Sequence, residues 1–600
     1  MCKLDKCKQI RKIMLITLLL WANILSAQTM RQPEWIKDLI VYEISTKNFT
    51  SPKGQGTGTF QSTKERVPYL ADLGINGVWL AGSSWADNGH FYGIWTQYAC
   101  IRPDSIEPTL GTPSDFRSLV DEFHKYKIKV FLDVITHGVM NESPLIHEHP
   151  EWFKGGSWGM TDYDWSGNHD DLDAWWVQTH VDYVLKYGVD GFRLDVDIYR
   201  PDLWREIKKR CADAGHPIVV FLEWDRRNES VCDFFQRMER LSELLEEGVN
   251  SDKTILSNTA LFFNNKFQNR NDFTVLIHYQ DGTVEEGSTL RDGKLSVTKL
   301  AEPEIPVDIE KSKQDKNYRN IELLVENIDT TKHITNIDVI PRSYRLDVKW
   351  TFGSDGQLYS AINTGESMRL YLEPFVPDLH YYSVDLSDHD EGWENFPKEQ
   401  NPYVAEGSRC LFGYSCLFTP AIPLFMSGEE FDAKFSPNPK LTPDLYGKGT
   451  PGDGTWLYGA IIDWEQLNQK EQRDMLQDVK RMISIRKEEA DIFHAYLNDT
   501  LPDLFELQYE SSIKIPVPFA MQNTKKIIIV AGNNTNQDVK CKIKMPLQHT
   551  GINPDKTYTI HDLWNDRKWK IKGKELEAFQ FEIKRDKVSG GGISVFKILK

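Results

Sequence analysis

Cysteine is scarce: eight residues in a chain of 600. Cys2 and Cys7 lie at the very start. The other six, Cys100, Cys211, Cys232, Cys410, Cys416 and Cys541, follow no zinc-ligand spacing and are too few for a disulfide scaffold. Cys410 and Cys416 are close enough in sequence to pair in an oxidising compartment, but buried free thiols are the simpler expectation. A G-x-G-x-x-G turn is missing after every strand-like run, which argues against a dinucleotide-binding fold. Positive charge is in deficit. The formal net charge of -17 excludes nucleic acid and anionic membrane surfaces as natural partners. A membrane-spanning run of about 20 apolar residues is missing too. The nearest approach, "IMLITLLLWANIL", follows the basic "MCKLDKCKQIRK" and precedes "SAQT", with the small Ala27 ahead of Gln28. That is the plan of a secretory signal peptide. Residues 1–27 are expected to be removed. The remainder is then secreted or periplasmic, with no membrane span.

What is present is globular in kind, 40% apolar and 26% charged. At roughly 150 residues per domain, stretched by a large barrel, about three domains are expected. Aromatic residues are plentiful, with 18 Trp, 23 Tyr and 29 Phe, which suits sugar stacking as well as large cores.

The first half repeats helix then strand. "VPYLADLGINGVWLAG", "PSDFRSLVDEFHKYKIKVFLDVITHG", "DAWWVQTHVDYVLKYGVDGFRLDV" and "PDLWREIKKRCADAGHPIVVFLEW" each read as a helix, a turn and an apolar strand. Such repetition predicts parallel strands with helical crossovers, and the fold class is an α/β (β/α)8 TIM barrel. A short excursion, about residues 139–170, follows the third strand. After residue 245 the pattern becomes period two with polar turns, predicting a β-rich insertion over 246–342. Barrel-like text is expected to resume over 343–498, including the helix in "NQKEQRDMLQDVKRMISIRKEEA". Residues 499–600 read as a C-terminal antiparallel β-sandwich domain. The charged run "DWSGNHDDLD" reads as a solvated loop.

"YGVDGFRLDV" places Arg193 and Asp195 two residues apart in an apolar strand, so both side chains share one face. Burying charge is costly unless it is paired, so this strand holds a salt bridge or builds a reaction site. Other strand ends carry charge as well: Asp133 and His137 in "VFLDVITHG", Glu223 in "VVFLEW", His389 and Asp390 in "SVDLSDHDEG". In a parallel barrel the C-terminal strand ends face one opening, where active sites are built. Glycoside cleavage needs one carboxylic acid and one carboxylate across the bond, about 5–5.5 Å apart in retaining enzymes.

The ordered set "DVITHG", "GFRLDV", "FLEW" and "SDHD" resembles the α-amylase family of retaining glycoside hydrolases. "IVYEI" resembles that family's first strand and "YTIHDLW" its C-terminal domain. "MSGEEF" resembles its eighth-strand motif. The resemblance implies roles. Asp195 is the nucleophile, kept ionised by Arg193. Glu223 is the general acid and then base, with a pKa raised by burial. Asp390 is the third carboxylate. Asp133 holds Arg193, His389 hydrogen-bonds the sugar, and Tyr92 in "GHFYGIW" stacks on it. His137 is a substrate contact reached by a small backbone shift. The sequence departs from the family at His137-Gly138, where Asn-His is usual, the Asn helping to bind calcium and the His touching the sugar, and around Tyr92, where Phe91 and Gly93 replace Gly and Asp. No metal ligand is therefore assigned, and calcium is left as a question for the structure. The expected function is retaining hydrolysis of α-glucans, starch or malto-oligosaccharide. The alternatives are a transglycosylase or isomerase on the same barrel, or a non-catalytic glycan-binding protein.

Overall fold

The computed structural model describes residues 33–54, 56–87, 97–156, 159–196, 199–223 and 232–236. It also describes short segments between 273 and 436, residues 461–494 and 503–533, residue 535, and residues 537–585 and 592–600. The expected signal peptide, Tyr92, Trp224 and Asp390 lie outside the described residues.

One sheet of eight parallel strands organises the first part. The strands are β1 (Val41–Ser45), β2 (Gly77–Ala81), β3 (Lys129–Ile135), β4 (Gly191–Asp195), β5 (Val219–Leu222), β6 (Phe234–Phe235), β7 (Ser383–Asp385) and β8 (Ile422–Met426). Their order is β6-β5-β4-β3-β2-β1-β8-β7, and each pairs in parallel with the next. Sequential strands are neighbours all the way round, which is the order of a (β/α)8 barrel. Among the described residues no ladder joins β6 to β7, so the sheet is a curled parallel wall.

The helices between strands follow from local sequence. Helix α1 (Val67–Leu73) joins β1 to β2 and ends at Gly74 in the left-handed region. Helix α2 (Pro113–Lys125) starts at a capping box, with Thr112 and Asp115 satisfying each other's backbone N–H, and Pro113 supplies a first turn. It buries Phe116, Leu119, Val120 and Phe123. Helix α3 (Asp170–Tyr187) opens with Asp170, Asp171 and Asp173 in its first turn. The acidic half of "DWSGNHDDLD" is therefore a helix start and not a loop, because carboxylates favour the positive end of the helix dipole. Helices α4 (Pro201–Asp213), α5 (Ser408–Leu417) and α6 (Lys470–Glu488) follow. Helix α6 lies against α1, where Lys487 Nζ donates to Gly74 O at 2.7 Å. Among these described helices none is long and apolar enough to cross a membrane.

Inward-facing residues of the barrel strands form an apolar floor of Val41, Trp79, Phe131, Val219, Phe221, Ile422 and Leu424. Gly191 belongs to this level. A Cβ there would sit 1.9 Å from Val219 O, so only glycine lets β4 and β5 approach. Outward-facing residues, such as Phe192 and Leu194, join the core under the helices. At the end of β8, Glu430 is fully buried and accepts from Tyr42 Oη at 2.9 Å and Tyr69 Oη at 2.6 Å. Burial pushes its carboxyl above the usual range, with these hydroxyls opposing. It ties β8 to β1 and α1.

The antiparallel pairing of the insertion runs beyond the expected boundary at 342. Trp350–Gly353 pairs with Ile334–Pro341, and Met368–Leu372 pairs with Ile321–Val325. The chain rejoins the parallel sheet at Ser383, so 343 is too early. Only Trp350 of "YRLDVKW" is described, and it lies in an antiparallel strand, whose β-branched and aromatic composition is shared by barrel strands. At the C-terminus, a six-stranded and a three-stranded antiparallel sheet enclose a separate apolar cluster. Lys526–Gly532 is buried along its whole length. Ile527 and Ile529 face that cluster, while Ile528 and Val530 join the core of the barrel. Cys100, Cys211, Cys232, Cys416 and Cys541 are buried free thiols, so Cys416 is not paired with Cys410.

Candidate active site

Parallel register sets the site. Asp133 on β3 is directly opposite Arg193 on β4, and Ile135 is opposite Asp195. Arg193 and Asp195 share the inward face, as the alternation requires. Arg193 is 1% exposed and reaches three acids. Its Nη1 donates to Asp133 Oδ1 at 3.1 Å and to Asp195 Oδ1 at 2.5 Å. Its Nη2 is 3.2 Å from Glu223 Oε2. The guanidinium also lies over the Trp79 ring, 4.8 Å from the centroid, a cation–π contact away from water.

The electrostatics follow from this sharing. Burial would pull the Arg193 guanidinium down, but Asp133 and Glu223 hold it well above its ordinary value. Asp195 moves the other way from the expectation that Arg193 simply keeps it charged. Burial, then the Glu223 charge, raise its carboxyl well above the usual range, and Arg193 only partly opposes them. Three carboxylates gathered around one cation repel one another, so full ionisation of the group is costly.

Glu223 follows β5 directly, and its backbone N–H donates to Leu194 O at 3.2 Å. Its Oε2 accepts a second bond, from the Val196 backbone N–H at 2.7 Å. Val196 sits at φ 60, in the left-handed region that a β-branched residue rarely enters. This strained turn immediately after Asp195 aims an N–H at the neighbouring carboxylate.

Asp133 is sealed beneath the cluster. Its Oδ2 accepts from Trp79 Nε1 at 3.0 Å and Tyr98 Oη at 2.8 Å. Tyr98 Oη is also 2.8 Å from His389 Nε2, and His389 Nδ1 is 2.5 Å from Glu43 Oε1. His389 is 1% exposed with both nitrogens engaged, so in this state it supports the cluster from behind and does not present a nitrogen to a sugar. Asp133 likewise acts on Arg193 and is covered from substrate. His137 is buried, its Nδ1 3.3 Å from Asp162 Oδ1. Burial pushes its imidazole down from the ordinary value and Asp162 opposes. No backbone shift has turned it toward the acids.

The departure at His137-Gly138 has a structural side. Gly138 opens the short strand Gly138–Met140, which pairs with Met160–Asp162. A Cβ at Gly138 would lie 2.2 Å from Thr161 O. The His usual at that position cannot be housed there, and His137, which stands in the Asn position, offers an imidazole nitrogen turned to Asp162 in place of an amide oxygen, which does not fit a calcium ion. Elsewhere among the described residues, ligand atoms of His149, Glu151 and Asp171 lie within 4.8 Å of one another. Asp171 already accepts from Trp152 Nε1 at 2.9 Å and opens α3, so no metal is assigned to this group.

Glu43, Trp79, Tyr98 and the Val196 N–H are parts of the site that motif reading passes over. Only Glu43 carries a signal, a lone charge in the apolar "IVYEI".

The family model described as "Alpha amylase, catalytic domain" matches residues 43–151. The intracellular maltogenic amylase of Bacillus subtilis is 24% identical over 210 residues, covering 28% of this chain and 35% of that protein. A trehalose synthase of Thermus thermophilus is 25% identical over 272 residues, covering 38% and 25%. The chain spans about a third of the length of the first curated relatives it matches. The crystal structure of an alpha-amylase from H. orenii shares the fold with a TM-score of 0.53 at 16% identity, over 94% of this chain and 99% of that one. The chain thus shares the fold of solved alpha-amylases across nearly its whole length, and its residues 43–151, beginning inside β1, match the catalytic-domain model of the α-amylase family.

Proposed function

We propose that this protein cleaves α-glycosidic bonds of glucan-type oligo- or polysaccharides with retention, through a covalent glycosyl-enzyme intermediate. The observation that carries the reading is the single buried guanidinium of Arg193 gathering Asp133, Asp195 and Glu223 at neighbouring strand ends. Drawing Asp195 and Glu223 onto one cation favours the close carboxylate spacing of a retaining pair. Asp195 Oδ1 is held by Arg193, which leaves Oδ2 to attack the anomeric carbon. Glu223 Oε2 accepts from Arg193 and from Val196 N–H, so the transferable proton sits on Oε1 and passes to the leaving oxygen. For the first step Glu223 must carry a proton and Asp195 must be ionised against Arg193. Water then loses a proton to Glu223 and opens the glycosyl ester. Asp390, by resemblance, is the third carboxylate of the transition state.

The N-terminal pattern supports export to the periplasm or beyond. A mature protein starting at Gln28 is the expected result of N-terminal sequencing.

Transfer to a second sugar is the alternative outcome of the same intermediate, supported by the similarity to a trehalose synthase. Incubation with α-1,4 and α-1,6 glucans, followed by NMR at the anomeric centre, separates the readings. Early release of the α-anomer fits retaining hydrolysis, new linkages fit transfer, and binding without turnover fits the glycan-binding alternative. Glu223→Gln should lower kcat by about 10³-fold or more. Undiminished turnover in that variant would remove Glu223 from its assigned role.

A further inference from the structure

Glu43 on β1 is fully buried, and the mechanism above makes no use of it. It starts a line of hydrogen bonds that runs to His389, Tyr98, Asp133 and Arg193. Counting protons along that line gives a definite answer. Asp133 accepts at both oxygens, from Arg193 at Oδ1 and from Trp79 Nε1 and Tyr98 O–H at Oδ2. A phenol oxygen held 2.8 Å from a carboxylate without its proton between them would set lone pair against lone pair. Tyr98 has one proton, and it is spent there. The 2.8 Å contact with His389 therefore runs from His389 Nε2–H to Tyr98 Oη. The 2.5 Å contact between His389 Nδ1 and Glu43 needs a proton of its own. A neutral imidazole has only one N–H. An imidazole is ordinarily a stronger base than a carboxylate, so the extra proton goes to the ring. The Tyr98 ring stacked at 5.2 Å and the Trp79 ring at 5.4 Å give such a cation aromatic neighbours.

We propose that Glu43 is a positioning residue that holds His389 as an imidazolium. In that state His389 Nε2–H is locked onto Tyr98, Tyr98 O–H onto Asp133, and the guanidinium of Arg193 is aligned on Asp195. The inference rests on the glycosidase reading for its effect on rate. Its proton arrangement can be read without any turnover. Among the described residues, the charged and titratable groups on this line and its end are Asp133 on β3, Arg193 and Asp195 on β4, and Glu223 after β5.

The test is ¹⁵N NMR of ring-labelled histidine in the full chain, with the His389 signals assigned by their loss in His389→Gln. Both nitrogens should be protonated at neutral pH, with a far-downfield Nδ1 proton. Glu43→Gln, which keeps the shape but not the charge, should convert His389 to a neutral imidazole. It should lower kcat about 10-fold or more while KM stays within about 3-fold. Glu43→Asp should recover part of the loss. Tyr98→Phe breaks the same line, so the double variant Glu43→Gln/Tyr98→Phe should be little worse than the weaker single variant. A neutral His389 in the wild type overturns the inference, as does wild-type kcat in folded Glu43→Gln, or losses that add. If the wild type turns over no glycan at all, the glycosidase reading fails, and the NMR still decides the state of His389.

Discussion

Arg193 is one cation serving three acids, and the chemistry of the site follows from that shortage. A carboxyl whose pKa is raised on folding stabilises the folded state while it is protonated. That contribution is present at low pH and lost as pH rises through the folded value. Burial and Glu223 raise Asp195 in this way. Asp195→Asn should therefore stabilise the free protein at pH 7 while abolishing turnover. The gain should shrink as pH is lowered and the wild-type carboxyl takes up its proton. Denaturation midpoints of both proteins across that range check it, and a variant less stable than wild type at pH 7 contradicts it. Arg193, Asp195, Glu223 and Asp133 are legible in the sequence because charge stands out in an apolar strand. Glu43 carries the same signal, but its partner lies 346 residues away. Trp79 and Tyr98 are silent, because an aromatic residue in a strand reads as core.

At the scale of the element, α3 shows how a helix carries a buried titratable group. His180 lies beneath the helix among Trp176, Trp204 and Phe192, and its Nδ1–H donates to Trp176 O at 2.8 Å. Burial pushes its pKa down to about 4. The unfolded imidazole titrates near 6.5, so between these values the unfolded chain holds the extra proton. Stability is intact above pH 6.5 and falls as pH drops toward 4, by on the order of 3 kcal/mol. His180→Gln should flatten this limb of a melting-temperature profile. An unchanged acid slope would show that His180 is not its source. Gly138 makes a complementary case. As sequence it is only a departure from a motif. The strand Met160–Asp162 across from it shows that the backbone has taken the space a side chain would need.

At the scale of the molecule, the barrel and the C-terminal sheets share a boundary that is both apolar and ionic. Ile528, Val530, Ile593 and Val595 belong to the barrel core. At the end of α6, the buried Glu489 is bonded by Lys526 and Lys597 from two sandwich strands. Removing one partner of a buried ion network leaves its other members uncompensated. Glu489→Ala should cost about 3 kcal/mol and split the calorimetric transition, with the C-terminal sheets melting first. A single transition at the wild-type temperature would mean that the apolar contact alone holds the boundary.

The strands, the amphipathic helices and the strand ends that carry charge are legible one segment at a time, because they depend on periodicity and on charge set against an apolar background. Such local signals do not determine who meets whom. The sharing of one guanidinium, the proton line from Glu43, the fit at Gly138 and the point where the chain re-enters the barrel all depend on contacts between distant segments. Those contacts are created by sheet register and barrel curvature, which no single segment of the chain encodes.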